Sequence, residues 1–68
     1  MIAARTKDGY ILYVTFCRDG NGYYCQVYTD DTLDNEVDNF CIHDDELQYN
    51  SERDIAEQHV KQLTLKPC

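Results

Sequence analysis

The chain has 68 residues, 43% of them hydrophobic, so it can form one small core but not two domains, and it is too apolar to be disordered throughout. Its formal net charge of −7 argues against binding to nucleic acid, because affinity for a phosphate backbone comes from Lys and Arg. No segment has the roughly 18 apolar residues of a membrane span, and the N-terminus lacks the apolar core of a signal peptide. We therefore expect a cytoplasmic protein with no membrane partner.

The first predicted element in the chain is a β-hairpin over residues 9–29. It is preceded by a polar lead-in at 1–8, which could pair at a sheet edge. Residues 10–17 and 23–29 are rich in β-branched and aromatic side chains, and the turn sequence Arg-Asp-Gly-Asn-Gly separates them. Three overlapping pairs of residues within 19–22 could occupy the centre of the turn, so the sequence leaves the register open. All three choices give the same predicted core face, whereas a loop of three or five residues would mix the two faces. That face comprises Leu12, Val14, Phe16, Tyr23, Cys25 and Val27.

An acidic loop at 30–38 and a short third strand at 39–43 follow, with Phe40 and Ile42 facing inward. Val37 could extend this strand. In the connector that comes next, Leu47 and Tyr49 could pack beneath the following helix. That helix is predicted over residues 52–65, because its apolar residues recur at helical spacing. Ser51 is the expected N-cap, with Asp54 three residues later, and Pro67 ends the helix.

The predicted fold is therefore a single α+β domain over 1–68, in which a small antiparallel three-stranded sheet has one C-terminal helix packed on one face. The element order is β-β-β-α. His59 lies at the edge of the apolar stripe of the helix, where we expect its ring to pack and its nitrogens to stay in water.

The segment from Asp30 to Glu46 carries the charge of the whole chain, with eight carboxylates and no Lys or Arg. So many like charges repel one another, and a basic partner would relieve that repulsion. A solvated loop that adds solubility is the simpler interpretation. The predicted partner-binding carboxylates are Asp30, Asp31, Asp34, Glu36, Asp38, Asp44, Asp45 and Glu46.

A second candidate binding feature is the sheet face that the single helix cannot cover. Tyr13, Tyr24 and Tyr28 would lie there with Ile11. The simpler interpretation of these tyrosines is structural, because cross-strand aromatic pairs stabilise a sheet. Tyrosine is also enriched at protein–protein hot spots, so these three side chains could anchor a partner or close a homodimer.

Zinc binding is an alternative, because Cys17, Cys41 and His43 could share one sheet face. A fourth ligand is not evident, and half-buried thiols are common apolar fillers. None of the four cysteines forms a Cys-x-x-Cys pair, and we expect reduced thiols.

Calcium is the other metal considered, since Asp34, Glu36 and Asp38 alternate as oxygen ligands often do. The segment lacks the Gly and the bidentate Glu of an EF-hand loop. We predict no metal site and no cofactor.

Together these features predict a non-enzymatic protein-binding module. It would be a small acidic inhibitor or adaptor that occupies a basic, nucleic-acid-binding surface of a larger protein, for example a phage-type inhibitor of a host defence nuclease. A metal-binding or metal-sensing domain is one alternative, and a homodimeric structural domain is another. No catalytic residue is predicted, because so short a chain has little room for an enzyme-sized pocket.

Overall fold

Four antiparallel strands and one α-helix make up residues 1–63, the part of the chain that the computed structural model describes. The strands are adjacent in the sheet in the order in which they occur in the chain, and all neighbours are antiparallel. The α+β class and the C-terminal helix are confirmed, but the prediction of three strands is wrong by one. The elements are β1 (Ile2–Arg5), β2 (Ile11–Asp19), β3 (Gly22–Tyr28), β4 (Glu36–His43), a 3₁₀ helix (Glu46–Gln48) and α1 (Glu52–Lys61).

The strand missing from the prediction is β1, which pairs with the first half of β2. Its sequence, Ile-Ala-Ala-Arg, lacks the β-branched and aromatic residues that mark a strand. The turn between β1 and β2 closes at Thr6, whose backbone N–H donates to the carbonyl of Tyr10 (2.8 Å) and whose buried hydroxyl accepts from the N–H of Tyr10 (3.1 Å). Gly9 supplies the left-handed conformation of this turn, with φ +92°.

The predicted hairpin is confirmed, and its register is now fixed. Asp19 pairs with Gly22, so Gly20 and Asn21 are the two residues of the loop. Gly20 has φ +53°, as expected for the first central residue of a type II′ turn. Val14 lies opposite Val27 in this register. The predicted core face is correct: Leu12, Val14, Cys25 and Val27 are at most 1% exposed, and Phe16 and Tyr23 pack against them.

Strand β4 is longer than the predicted 39–43 and lies at an edge of the sheet. Its pairing with β3 changes register at a bulge, because Asp38 pairs with Val27 whereas Glu36 pairs with Tyr28. Val37 is the extra residue, so Glu36 and Asp38 lie on opposite faces of the sheet.

The helix α1 begins as predicted, since the Ser51 hydroxyl accepts a hydrogen bond from the backbone N–H of Asp54 (3.3 Å). It ends at Lys61, earlier than predicted, and the N–H groups of Gln62 and Leu63 bond to carbonyls three residues back, which tightens the last turn. The predicted end at residue 65 and the Pro67 stop lie outside the described residues.

The core lies between α1 and one face of the sheet. The 3₁₀ helix adds Leu47 to its margin, as expected, but the expectation for Tyr49 is wrong, because that side chain is 84% exposed. The buried apolar residues are Ala4, Leu12, Val14, Cys25, Val27, Ile42, Ala56 and Val60. No helix in the described part of the chain has both the length and the apolar character needed to cross a membrane.

We predict that Gly22→Ala destabilises the protein strongly. A Cβ atom at position 22 would lie 1.8 Å from the backbone oxygen of Ile42, so β3 and β4 would have to separate there. We expect a loss of about 3 kcal/mol or more in the free energy of unfolding, measured by urea denaturation. Gly20→Ala is the matched control, because a Cβ there meets nothing within 4 Å and only its positive φ opposes the change. That variant should lose about 1 kcal/mol, and equal losses in the two variants would contradict the steric explanation.

A second prediction concerns Cys25, whose thiol is buried in the core. Burial, with a smaller contribution from the nearby thiol of Cys41, raises the pKa of Cys25 from 9.0 to about 11. Below pH 9 the thiol is neutral in both states, and its contribution to stability is constant. Between pH 9 and 11 only the unfolded chain ionises, so stability should fall by about 1.4 kcal/mol per pH unit.

The check is to measure the free energy of unfolding from pH 8 to 11 for the wild type and for Cys25→Ala. Ionisation of the tyrosines affects both proteins, so the difference between the two curves isolates the thiol. We expect that difference to change by about 2 to 3 kcal/mol across the range. A constant difference would show that Cys25 ionises as easily in the folded protein as in the unfolded chain.

Candidate protein-binding surface

The eight predicted carboxylates fall at the two ends of β4 and on its two faces. Those before the strand lie in the β3–β4 loop, and those after it lie between β4 and the 3₁₀ helix. A strand rises about 3.3 Å per residue, so the length of β4 separates the two groups by roughly 25 Å. We call Asp30, Asp31, Asp34 and Glu36 the leading cluster, and Asp44, Asp45 and Glu46 the trailing cluster.

Hydrogen bonds within the β3–β4 loop hold the leading cluster in place. The N–H of Thr29 donates to the carbonyl of Asn35 (3.1 Å) and closes the loop. The Asp30 carboxylate accepts from the N–H of Asp34 (3.1 Å), and the Asp34 carboxylate accepts from the hydroxyl of Thr32 (3.0 Å). These carboxylates therefore project from a shaped loop, and their spacing is defined by the fold.

The trailing cluster makes two contacts that tie it to the sheet. Asp44 forms an exposed ion pair with Arg18 of β2 (Nη1 to Oδ1, 3.1 Å). Glu46 accepts the backbone N–H of His43 (3.0 Å). Since Arg18 also lies over the ring of Tyr23 (5.1 Å to the centroid), its guanidinium is held at this end of the molecule. The ion pair is solvent-exposed and contributes at most about 1 kcal/mol to stability.

Asp38 differs from the other seven carboxylates because it faces the helix. Its Oδ2 lies 2.6 Å from Nε2 of His59, and the imidazole ring stacks on Phe40 with 4.0 Å between centroids. The expectation that the His59 ring packs is confirmed, but Nε2 contacts Asp38 instead of water. The signal was present in the parity of β4, since Asp38 shares the inward face with Phe40 and Ile42 once the strand starts at Glu36.

The face of the sheet opposite α1 carries all three predicted tyrosines, and we call it the open face. Tyr13 lies directly opposite Tyr28, next to the leading cluster. Tyr24 is four residues from Tyr28 along β3, and it pairs with Cys17 on one side and Cys41 on the other. The three rings are half-buried. They form two separate aromatic sites on one face instead of one continuous patch.

The candidate metal ligands are distributed in a way that separates them. Cys17 and Cys41 lie on the open face, but Tyr24 stands between them, so two strand spacings of about 4.8 Å separate their backbones. His43 is further along β4, opposite Gly22. Within residues 1–63, no three His, Cys, Asp or Glu side chains are grouped so that they could hold a metal ion.

The candidate calcium ligands Asp34, Glu36 and Asp38 are also separated from one another. The bulge turns Glu36 to the open face, where it accepts a hydrogen bond from Gln26 (2.6 Å), and turns Asp38 towards the helix. Asp34 remains in the loop before β4. The three carboxylates therefore do not lie together on one face of the sheet.

Two shallow clefts lie on the described surface. One, of about 240 Å³, runs between β1 and α1 and includes Arg5, Glu57 and Lys61 in its walls. The other, of about 340 Å³, lies at the trailing cluster between Asn21 and Asp45. Arg5 and Lys61 lie at the β1 side of the molecule, and β4 lies at the opposite edge of the sheet.

Comparisons of the chain with protein-family models, with curated proteins and with solved structures found no match.

We predict that Asp38 and His59 stabilise each other across the helix–sheet interface. Both side chains are one-third exposed, so their coupling energy in a double-mutant cycle of Asp38→Ala and His59→Ala should be about 1 kcal/mol. His59→Phe is the matched control, because it keeps a ring against Phe40 and removes only the polar contact. It should therefore lose less stability than His59→Ala. Strictly additive losses from the two alanine variants would show that the contact contributes nothing.

Proposed function

We propose that this protein is a non-enzymatic binding module whose acidic edge occupies a basic surface on a larger protein, as a small inhibitor or adaptor would. The observation that carries the proposal is the arrangement of charge around β4. Among residues 1–63, only Asp38 and Asp44 of the eight carboxylates pair with a basic side chain. The other six remain available to a partner at the two ends of one edge strand.

Electrostatics supports a basic partner over a neutral one. Six carboxylates without counter-charges raise the negative potential at the two ends of this edge, and repulsion within each cluster opposes folding. Local hydrogen bonds hold the carboxylates of Asp30 and Asp34, so the leading cluster presents these charges in a defined arrangement. A basic surface of the kind that binds nucleic acid carries the complementary potential.

The tyrosines supply aromatic surface that a partner can bury, which the carboxylates do not. Tyr13 and Tyr28 lie opposite each other on the open face. On its other side, Tyr28 pairs with Glu36 of β4. Charged side chains at a rim mainly raise the association rate and select the partner, whereas burial of aromatic rings slows dissociation. The leading cluster and this tyrosine pair together form the best-supported contact site.

The proposal predicts that binding depends on the position of the charges and not only on their number. The test variant is Asp31→Asn, Asp34→Asn and Asp45→Asn, which removes three exposed carboxylates from the two clusters. The matched control removes three exposed carboxylates elsewhere, with Asp8→Asn, Asp54→Asn and Glu57→Gln. Proteins captured from a lysate of the native source by wild-type protein, but not by the test variant, are identified and purified.

Association of the captured partner is then followed by surface plasmon resonance at 0.05 and 0.5 M salt. We expect the test variant to associate about tenfold more slowly than the control variant at low salt, and the wild-type rate to fall steeply as salt rises. Tyr28→Ala should raise the dissociation rate more than it lowers the association rate. Equal rates for the two triple variants, or an association rate independent of salt, would overturn the proposal.

A further inference from the structure

The outer edge of β4 presents backbone groups that bond to no other strand among the described residues. The N–H of Asp44 donates to the carbonyl of Asn21 (2.8 Å), so Asp44 points its backbone groups towards β3. In an antiparallel pair this orientation alternates along the strand. Asn39, Cys41 and His43 therefore direct their N–H and C=O groups away from β3, and all three residues are exposed.

One of these outward N–H groups is already occupied within the chain. The carboxylate of Glu46 accepts the N–H of His43, which independently shows that this group points away from β3. The free part of the edge is thus the segment from the bulge at Val37 to Cys41. Its length is about 17 Å, enough for a partner segment of about five residues.

From this geometry we propose that the partner adds an extended basic segment to the sheet at β4, as an extra strand. The inference rests on the proposed function and names the mode of contact. The leading cluster lies at one end of the free edge and the trailing cluster at the other, so Lys or Arg side chains on both sides of a short extended segment would meet carboxylates. Main-chain hydrogen bonds would supply affinity, and the flanking charges would supply selectivity.

Charge also excludes a second copy of β4 as the occupant. Antiparallel pairing of two such strands would place the leading cluster of one beside the trailing cluster of the other, and parallel pairing would superpose identical clusters. Both arrangements bring carboxylates together.

The probe is an acetylated and amidated peptide, Lys-Lys-Thr-Val-Thr-Val-Thr-Lys-Lys. Its control is the same peptide with N-methyl groups on two adjacent central residues, which keeps every charge but blocks both edges of the strand. Binding is measured by fluorescence anisotropy at 0.05 M salt, and amide hydrogen exchange is followed by NMR. We expect the parent peptide to bind about tenfold more tightly than the control and to slow exchange at Asn39 and Cys41 by about tenfold.

Cys41→Pro provides a second test, because it removes an outward N–H while leaving the hydrogen bonds of β4 to β3 in place. If it folds, as judged by circular dichroism, it should lose the preference for the parent peptide. Equal affinity for the two peptides, or unchanged exchange at Asn39 and Cys41, would overturn strand addition while leaving the charge-based proposal standing. If neither peptide binds at low salt, the result would count against strand addition and against the charge-based proposal. The carboxylate variants test the proposed function separately.

Discussion

Burial of one face of the sheet under one short helix is the constraint on which the rest of the structure depends. Val14 and Val27 lie opposite each other beneath α1 and are fully buried, and burial of one such side chain stabilises the fold by about 1.5 to 3 kcal/mol. Because side chains alternate along a strand, a shift of one residue would exchange every core residue for an exposed one. The placement of the tyrosines, the thiols and the carboxylates follows from this single choice of face.

The bulge in β4 is the place where that alternation is interrupted, and it divides the acidic side chains of β4 between the two faces of the sheet. It sends Glu36 to the open face and Asp38 to the helix, where His59 accommodates the carboxylate. A carboxylate on the inward face of a strand would otherwise lose hydration without a partner. Asp38 therefore contributes to the docking of α1, and the other acidic side chains form the outward surface.

The hairpin, its core face and the helix start were predictable because their signals are local and strong. Val, Ile, Tyr and Phe alternate or cluster in β2 and β3, and Ser51 precedes an amphipathic segment. β1 was not predictable, since Ala3 and Ala4 fit a strand only when β2 is there to pair with. The true start of β4 was hidden because Glu36 and Asp38 read as loop residues, and a bulge has no simple sequence signal. The contact between Asp38 and His59 joins residues 21 positions apart and needs the register of the sheet.

The distance between the two acidic clusters determines how they can act. At physiological salt the screening length is about 8 Å, whereas β4 separates the clusters by roughly 25 Å. Each cluster therefore attracts charges independently, and the two do not add into one field at long range. A partner gains from both only if its own basic groups have a matching separation. Because β4 is a hydrogen-bonded strand and the leading loop is closed at Thr29, that separation is fixed before binding, and little ordering entropy opposes association with a partner of complementary spacing.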